Sequence, residues 1–469
     1  MTAAAFRSGV IEGFYGRPWS EEQRLRILAD LASWGLTTYL YAPKDDLAHR
    51  VLWRRPYAPA EAAALQRLAD GASRAGVHFA YGLAPGLDLR YADEQDAAAL
   101  HAKVAQVLGL GARTVALLFD DVPRQLRPED AERYGRLAAA QAETANRVHA
   151  QVLAGGGDAL LFCPTDYCAA MARPSVAESA YLRELGERLD PAIEVFWTGP
   201  DVVSETIEAD DARQAAAALR RKPLLWDNLH ANDYDRRRLH LGPYSGRPGA
   251  LRGEVSGILL NPDNEASACP VPLMTLAAYL REDAYEPRAA FLQAVAAWAA
   301  RLELVDGAAS GPPAPVDGAA GGSKGAAGRA GGPAMDAEDL AYLADFLYLP
   351  FEHGPAAQAF LEDVAYLLVT PPAAWEDTFA RVAGAAMRLA GLARTLTRLR
   401  DREALADLQP HLLAVLTEVG RAARAAAGRR AGPRTEAPPD GIDNVERGGF
   451  SGALERLLQA TVPRAPHGG

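Results

Sequence analysis

The sequence predicts a (β/α)8 TIM-type barrel followed by a small all-α helical domain. Three observations carry that prediction. Eight short, β-branched apolar runs can be counted before residue 304, with longer Ala- and Leu-rich segments between most of them. The short runs are continuously apolar rather than alternating, as parallel strands covered on both faces require. The main rival, a doubly wound open sheet, needs a glycine-rich phosphate loop after its first strand, and "EGFYGRP" is bulky where that loop would need bare backbone.

In order, the strand runs are 9–12, 37–41 ("TTYLY"), 77–82 ("VHFAYG"), 114–119 ("TVALLF"), 159–162 ("ALLF"), 193–197 ("IEVFW"), 224–226 ("LLW") and 257–260 ("GILL"). Helical segments are expected over 21–33, 60–75, 94–108, 129–153, 176–189, 209–219 and 272–280. Ser20, followed by Glu21, Glu22 and Gln23, is an N-cap signal, a hydroxyl for a free N–H with acids at the positive end of the dipole. The stretch around "HLGPYSGR", between the seventh and eighth strands, reads as a long irregular loop.

The composition changes after Leu304. The barrel is assigned to 1–304 and a disordered Gly/Ala/Pro-rich linker to 305–335, where hardly any large apolar residue could offset the entropy of ordering. A helical domain is assigned to 336–464. Its stripes are Leu340, Leu343, Ala344 and Leu347 behind an Asp336 N-cap; Phe379, Val382, Ala386, Leu389, Ala393 and Leu396; and Leu412, Leu413, Leu416 and Val419. A polar break, "GRRAGPRTEAPPDG", isolates a last apolar segment, "FSGALERLLQA".

The chain has 469 residues, 49% hydrophobic, and a formal net charge of -11, which argues against a nucleic-acid or anionic-membrane partner. No apolar run reaches the length of a membrane span, and the start lacks the apolar core of a signal peptide, so a cytoplasmic protein is expected. Cys163, Cys168 and Cys269 cannot all pair and fit no zinc spacing, so they read as reduced, partly buried thiols. Arginine is the default cation, with lysine only at 44, 103, 222 and 324, which singles out Lys44 in "YAPKDD".

The active site of such a barrel lies at the C-terminal ends of its strands. The residues that follow each strand are almost all polar, among them Glu12-Gly13, Lys44, Asp120-Asp121, Thr165 to Tyr167, Asp227-Asn228 and Asn261. "LLFDD" is the sharpest signal. Two acids inside a strand would point to opposite faces, but where the backbone leaves the pleat both can reach the rim. Close carboxylates push their pKa values apart, which suits one proton-carrying acid/base and one permanent anion. Aromatic, Asn and Asp groups around such a pair suit a sugar, whose hydroxyls take hydrogen bonds and whose ring faces stack on aromatics. The spacings of His230, Asp233 and Asp235 in "WDNLHANDYD" match no metal motif, so no metal and no cofactor are expected.

Seven segments, "GVIEGFYGRPWS", "YLYAPKDD", "LLFDD", "FCPTDYC", "FWTGPDVVS", "WDNLHANDYD" and "LLNPDNE", resemble in this order the motifs of the O-GlcNAcase family, the glycoside hydrolases of family 84. "EDLAYLADFLYLPFEHGP" is similar to the helical stalk that follows the catalytic domain in the animal members. The resemblance implies removal of β-linked N-acetylglucosamine from Ser/Thr of proteins, with retention, the sugar's own acetamido oxygen acting as nucleophile through an oxazoline. It implies that Asp120 orients and polarises the acetamido N–H and that Asp121 is general acid, then base. Gly13 (through its backbone), Lys44, Asn228, Asp233 and Asn261 would bind sugar hydroxyls or the acetamide, and Tyr167, Val202 and Trp226 would shape the pocket. The implied partners are O-GlcNAc-modified proteins or peptides, and a second copy of the chain through the helical domain, with the last helix either exchanged between chains or docked on its own bundle. Two alternatives stand beside this reading: a hexosaminidase acting on glycan or cell-wall fragments, and a non-catalytic GlcNAc-binding protein.

Overall fold

The structure, a computed structural model, describes residues 6–305, 333–430 and 449–459. Eight parallel strands close into a barrel in sequence order, the first pairing with the last: β1 (Arg7–Glu12), β2 (Thr38–Tyr41), β3 (His78–Leu83), β4 (Thr114–Leu118), β5 (Ala159–Cys163), β6 (Glu194–Trp197), β7 (Leu224–Asp227) and β8 (Gly257–Leu260). All eight fall where the apolar runs place them. The interior is filled from successive strands by Ile11, Leu40, Ala80, Ala116, Leu161, Phe196, Leu224 and Leu259, all fully buried. Small residues on β3 and β4 alternate around the barrel with larger ones on the other strands, and side chains fill the lumen.

The outer layer comprises α1 (Glu21–Trp34), α2 (Pro59–Ala75), α3 (Glu94–Gly109), α4 (Pro128–Tyr134), α5 (Leu137–Ala154), α6 (Ala180–Arg188), α7 (Ala209–Leu219) and α8 (Pro270–Arg281). Ser20 caps α1 as expected: its hydroxyl accepts from Gln23 N–H, and the Gln23 side chain accepts from Ser20 N–H at 2.7 Å. The helix expected over 129–153 is two helices, broken at Gly135, whose φ of 69° leaves the helical region. The helix expected from 176 starts later because Ser179 caps it, accepting from Leu182 N–H. Between β7 and β8 the chain is irregular apart from a 3-10 turn at Gly249–Gly253, as read from the sequence.

The chain divides into two compact units, Met1–Ala290 and Phe291–Gly469. The second contains most of α9 (Pro287–Ala299), then α10 (Ala337–Phe346), α11 (Pro355–Val369), α12 (Glu376–Leu396), α13 (Arg402–Arg430) and α14 (Gly449–Gln459). Asp336 caps α10, accepting from Asp339 N–H. The helices α9 and α11 were not anticipated, although Phe291, Val295 and Trp298 on α9 and Phe360, Val364 and Leu367 on α11 are buried at helical spacing. On α13 the stripe is turned from the expected one: Leu412, Val415 and Val419 are buried, whereas Leu413 is 46% exposed. The last helix packs on α11 and α13, with Phe450 edge-on to Phe346 at 5.0 Å between ring centres. The linker expectation falls almost wholly outside the described residues, but its flanks are joined, Leu304 N–H donating to Pro333 O.

Candidate active site

The strand ends open onto a cavity of about 350 Å³. It is lined by the ten residues that the family resemblance marks for the site: Asp120 and Asp121 after β4, Gly13 after β1, Lys44 after β2, Tyr167 after β5, Val202 after β6, Trp226 on β7 with Asn228 and Asp233 beyond it, and Asn261 after β8. Strand parity explains much of this convergence. Inward-facing Ile11, Ala42, Leu118, Trp226 and Leu259 lie two residues before Gly13, Lys44, Asp120, Asn228 and Asn261, so these residues continue the interior faces of their strands.

The opposite parity separates anchors from site residues. Glu12 lies between Ile11 and Gly13, so its carboxylate points away from the lumen, where it accepts from Arg24 twice, from Trp19 N–H and from Tyr39 OH. Asp227 likewise receives both arms of the Arg247 fork and the Tyr244 hydroxyl, all fully buried. Both acids fasten rim segments to the barrel and stay out of the cavity.

Asp121 follows Asp120 and should by alternation turn away. It does not, because its φ is 54°, a left-handed conformation that swings it back to the cavity mouth. The two acids meet different surroundings. Asp120 is buried and paired through Oδ2 with the Lys44 ammonium. Burial pushes its carboxyl up most, but the charge and hydrogen bond of Lys44, with the charge of Arg50, together hold it below the ordinary carboxylate range. The same pair holds Lys44 above its ordinary value although burial opposes this. Asp120 Oδ1 is buried with no hydrogen-bond partner among the described residues. Asp121, exposed at the rim, accepts from Tyr15 OH at 3.0 Å on one oxygen and from Tyr167 OH at 2.9 Å on the other.

An amide chain closes the far wall. Asn261 donates to Asn228 Oδ1, which also accepts from Trp226 Nε1, and Asn228 donates to Val202 O. Asn261 Oδ1 is buried and unpartnered among the described residues. The Trp226 ring lies 5.6 Å from Lys44 Nζ. Gly13 serves this wall: a Cβ there would stand 2.4 Å from Trp226 Cζ2, so the bare residue makes room for the indole. Asp233 accepts from Tyr15 N–H, tying the β7–β8 loop to the β1 rim. No cluster of three or more His, Cys, Asp or Glu side chains fit for a metal occurs among the described residues.

A family model described as beta-N-acetylglucosaminidase matches residues 8–308. The chain belongs to the beta-N-acetylglucosaminidase family. It is 43% identical over 281 residues to the Protein O-GlcNAcase of Rattus norvegicus and to that of Mus musculus, a match that takes in 60% of this chain but only 30% of each relative's length. A solved structure of a mutant O-GlcNAc hydrolase from Thermobaculum terrenum is similar with a TM-score of 0.73 and 28% identity, covering 91% of this chain and 86% of that one. In this member of the beta-N-acetylglucosaminidase family the cavity has further walls that the sequence reading left unassigned: Cys163, Thr198, Val203, Ala231 and Tyr234. Strand parity would have found two of them, Cys163 two residues after Leu161 and Thr198 two after Phe196. The three cysteines are buried and none is in a disulfide, and burial, with Asp120 nearby, pushes the Cys163 thiol far up, so it stays protonated.

Proposed function

We propose that this chain is a retaining glycoside hydrolase that removes O-linked N-acetylglucosamine from Ser/Thr of proteins by substrate-assisted catalysis. The observation that carries the reading is the divided acid pair: one carboxylate buried and held ionised by a lysine, its neighbour at the cavity mouth between two phenols. A permanent anion deep in the site suits an N–H that gains positive charge, and a carboxyl at the mouth suits the leaving group.

In this mechanism Asp120 accepts the acetamido N–H and orients the group so that its carbonyl oxygen faces the anomeric carbon. That oxygen attacks C1 as the glycosidic C–O bond breaks, and Asp121 gives its proton to the departing serine or threonine oxygen. The positive charge on the cyclised acetamide is stabilised by Asp120. Asp121, now a carboxylate, takes a proton from water, whose oxygen adds to C1 from the face the leaving group left. The ring reopens and the configuration is retained. Gly13, Lys44, Asn228, Asp233 and Asn261 hold sugar hydroxyls or the acetamide, and Tyr167, Val202 and Trp226 form the walls around it.

The assignment to protein substrates draws on the animal relatives, and the proposed setting is the cytoplasm; no helix among the described residues is long and apolar enough to cross a membrane. We also place the chain in a homodimer formed through the helical region, since α14 follows the polar stretch 431–448 and could seat its Phe450 on its own bundle or on a partner's. The test of function is turnover of an aryl N-acetylglucosaminide with and without chelator, followed by glycopeptides set against glycan and cell-wall fragments. Cleavage of glycopeptides unaffected by chelator supports the reading; cleavage of glycan fragments alone replaces the substrate class, and no turnover at all leaves a binding protein.

A further inference from the structure

Arg50, which touches the cavity-wall residue Tyr15, is accounted for by neither strand parity nor the sequence motifs. It lies in the loop after β2, six residues past Lys44, and is only 8% exposed. The loop is pinned on both sides of it. His49 shares a 2.7 Å hydrogen bond with Gly82 O, and Trp53 Nε1 donates to Asp88. A buried guanidinium ordinarily sits against a carboxylate. Among the described residues no carboxylate makes an ion pair with Arg50. Its Nη1 instead donates to the Tyr15 hydroxyl at 2.6 Å, and its Cζ lies 5.2 Å from the centre of that ring.

A phenol has one hydrogen to give and lone pairs to receive. Arg50 can only donate, so it occupies the Tyr15 oxygen as acceptor and leaves the phenol hydrogen directed at Asp121 Oδ2, 3.0 Å away. Tyr15 is fixed at its backbone too: its N–H donates to Asp233 and its carbonyl accepts from Asn264 Nδ2 at 2.7 Å. The phenol therefore transmits the guanidinium's position and charge to one oxygen of Asp121.

We propose that Arg50 is a positioning residue for the acid/base step, acting through the Tyr15 hydroxyl to fix the orientation of Asp121. The inference rests on the role given to Asp121 above. The groups that bear on that carboxylate are Tyr15 from the β1 rim and Tyr167 and Cys163 from the end of β5, while Lys44 and Arg50, from the loop after β2, meet Tyr15. Lys44 is committed to Asp120, whereas Arg50 donates to the Tyr15 hydroxyl that in turn donates to Asp121. In the polarised chain Arg50–Tyr15–Asp121 the hydrogen bond to the carboxylate is stronger than a lone phenol would make.

The experiment compares kcat/KM for wild type, Arg50→Gln, Tyr15→Phe and the double variant, on an activated aryl N-acetylglucosaminide and on one with a poor leaving group. Loss of Arg50 should cost the poor leaving group about tenfold more than the activated one. In the Tyr15→Phe background, Arg50→Gln should widen that gap no further. Equal losses on the two substrates in folded Arg50→Gln, or a gap that widens undiminished in the Tyr15→Phe background, overturns the inference. Should Arg50→Gln fail to fold, Tyr15→Phe alone decides, since it removes only a hydroxyl and must itself open the gap. Wild-type protein without turnover on either substrate would instead refute the functional reading, and this inference with it.

Discussion

The indole of Trp226 occupies the space that any side chain at Gly13 would need, with Cζ2 2.4 Å from where a Cβ would stand. β1 and β7 thus meet across the site through the absence of a methyl group. Trp226 is nearly buried and its Nε1 is tied to Asn228, so it has little freedom to move aside. Gly13→Ala should cost about 1–3 kcal/mol of stability through overpacking and raise KM by displacing the wall. Combining it with Trp226→Phe, which removes the clashing edge, should recover part of the lost thermal stability, so the two changes should be non-additive by denaturation.

Lys44 and Asp120 form a buried pair, and removal of one partner strands the other. Lys44→Met should destabilise the fold by about 3–5 kcal/mol at neutral pH. Its effect on activity has a definite sign. Asp120 is needed ionised, and in the intact pair Lys44 holds its carboxyl below the ordinary range. Stability from this depressed group is present above the unfolded carboxylate value and is lost as pH falls through the folded one. Without Lys44, burial prevails and the carboxyl moves up, so the acidic limb of the kcat/KM profile should shift to higher pH. An unchanged acidic limb would show that Asp120 does not govern it.

Most of the barrel was legible because eight apolar runs of parallel-strand character are hard to arrange in any other way. The sequence reading applied strand parity to "LLFDD" alone and not to the other strand ends. Glu12 and Asp227 stood beside Gly13 and Asn228 as rim polar groups, and only their phase relative to Ile11 and Trp226 assigns them to the outer face. Asp121 breaks that phase through one left-handed residue, which no alternation rule contains. Arg50 was invisible because its contact with Tyr15 joins two loops, and α9 and α11 were missed because abundant alanine blurs an apolar stripe even where Phe291 and Phe360 mark it. The long helix expected after β4 failed at a single glycine whose conformation the pattern does not encode.

The acid pair predicts unequal mutants. Asp121→Asn should lose about 10²–10⁴ in rate on poor leaving groups and far less on activated aryl ones, which need little protonation. Asp120→Asn should slow both, because cyclisation itself loses its counter-charge. A leaving-group series run on both variants checks this, and equal slopes would reverse the division of roles while leaving the site in place.

Light scattering at micromolar concentration should give a dimeric mass for the full chain. A version ending near Arg430 should become monomeric if α14 is exchanged between chains. A truncated protein that stayed dimeric would keep the dimer and clear α14 of responsibility, whereas a monomeric full chain would end the proposal.

In the proposed reaction the substrate's own acetamido oxygen attacks the anomeric carbon while Asp120 stabilises the charge that forms. The measurement that tests it most directly is kcat/KM on aryl glucosaminides whose N-acetyl group carries zero, one, two or three fluorines. Each fluorine makes the carbonyl oxygen a poorer nucleophile without changing the leaving group. A steep, progressive fall across the series is expected, retained in Asp121→Asn on an activated leaving group. A rate indifferent to fluorination would instead place the nucleophile on the protein or on water.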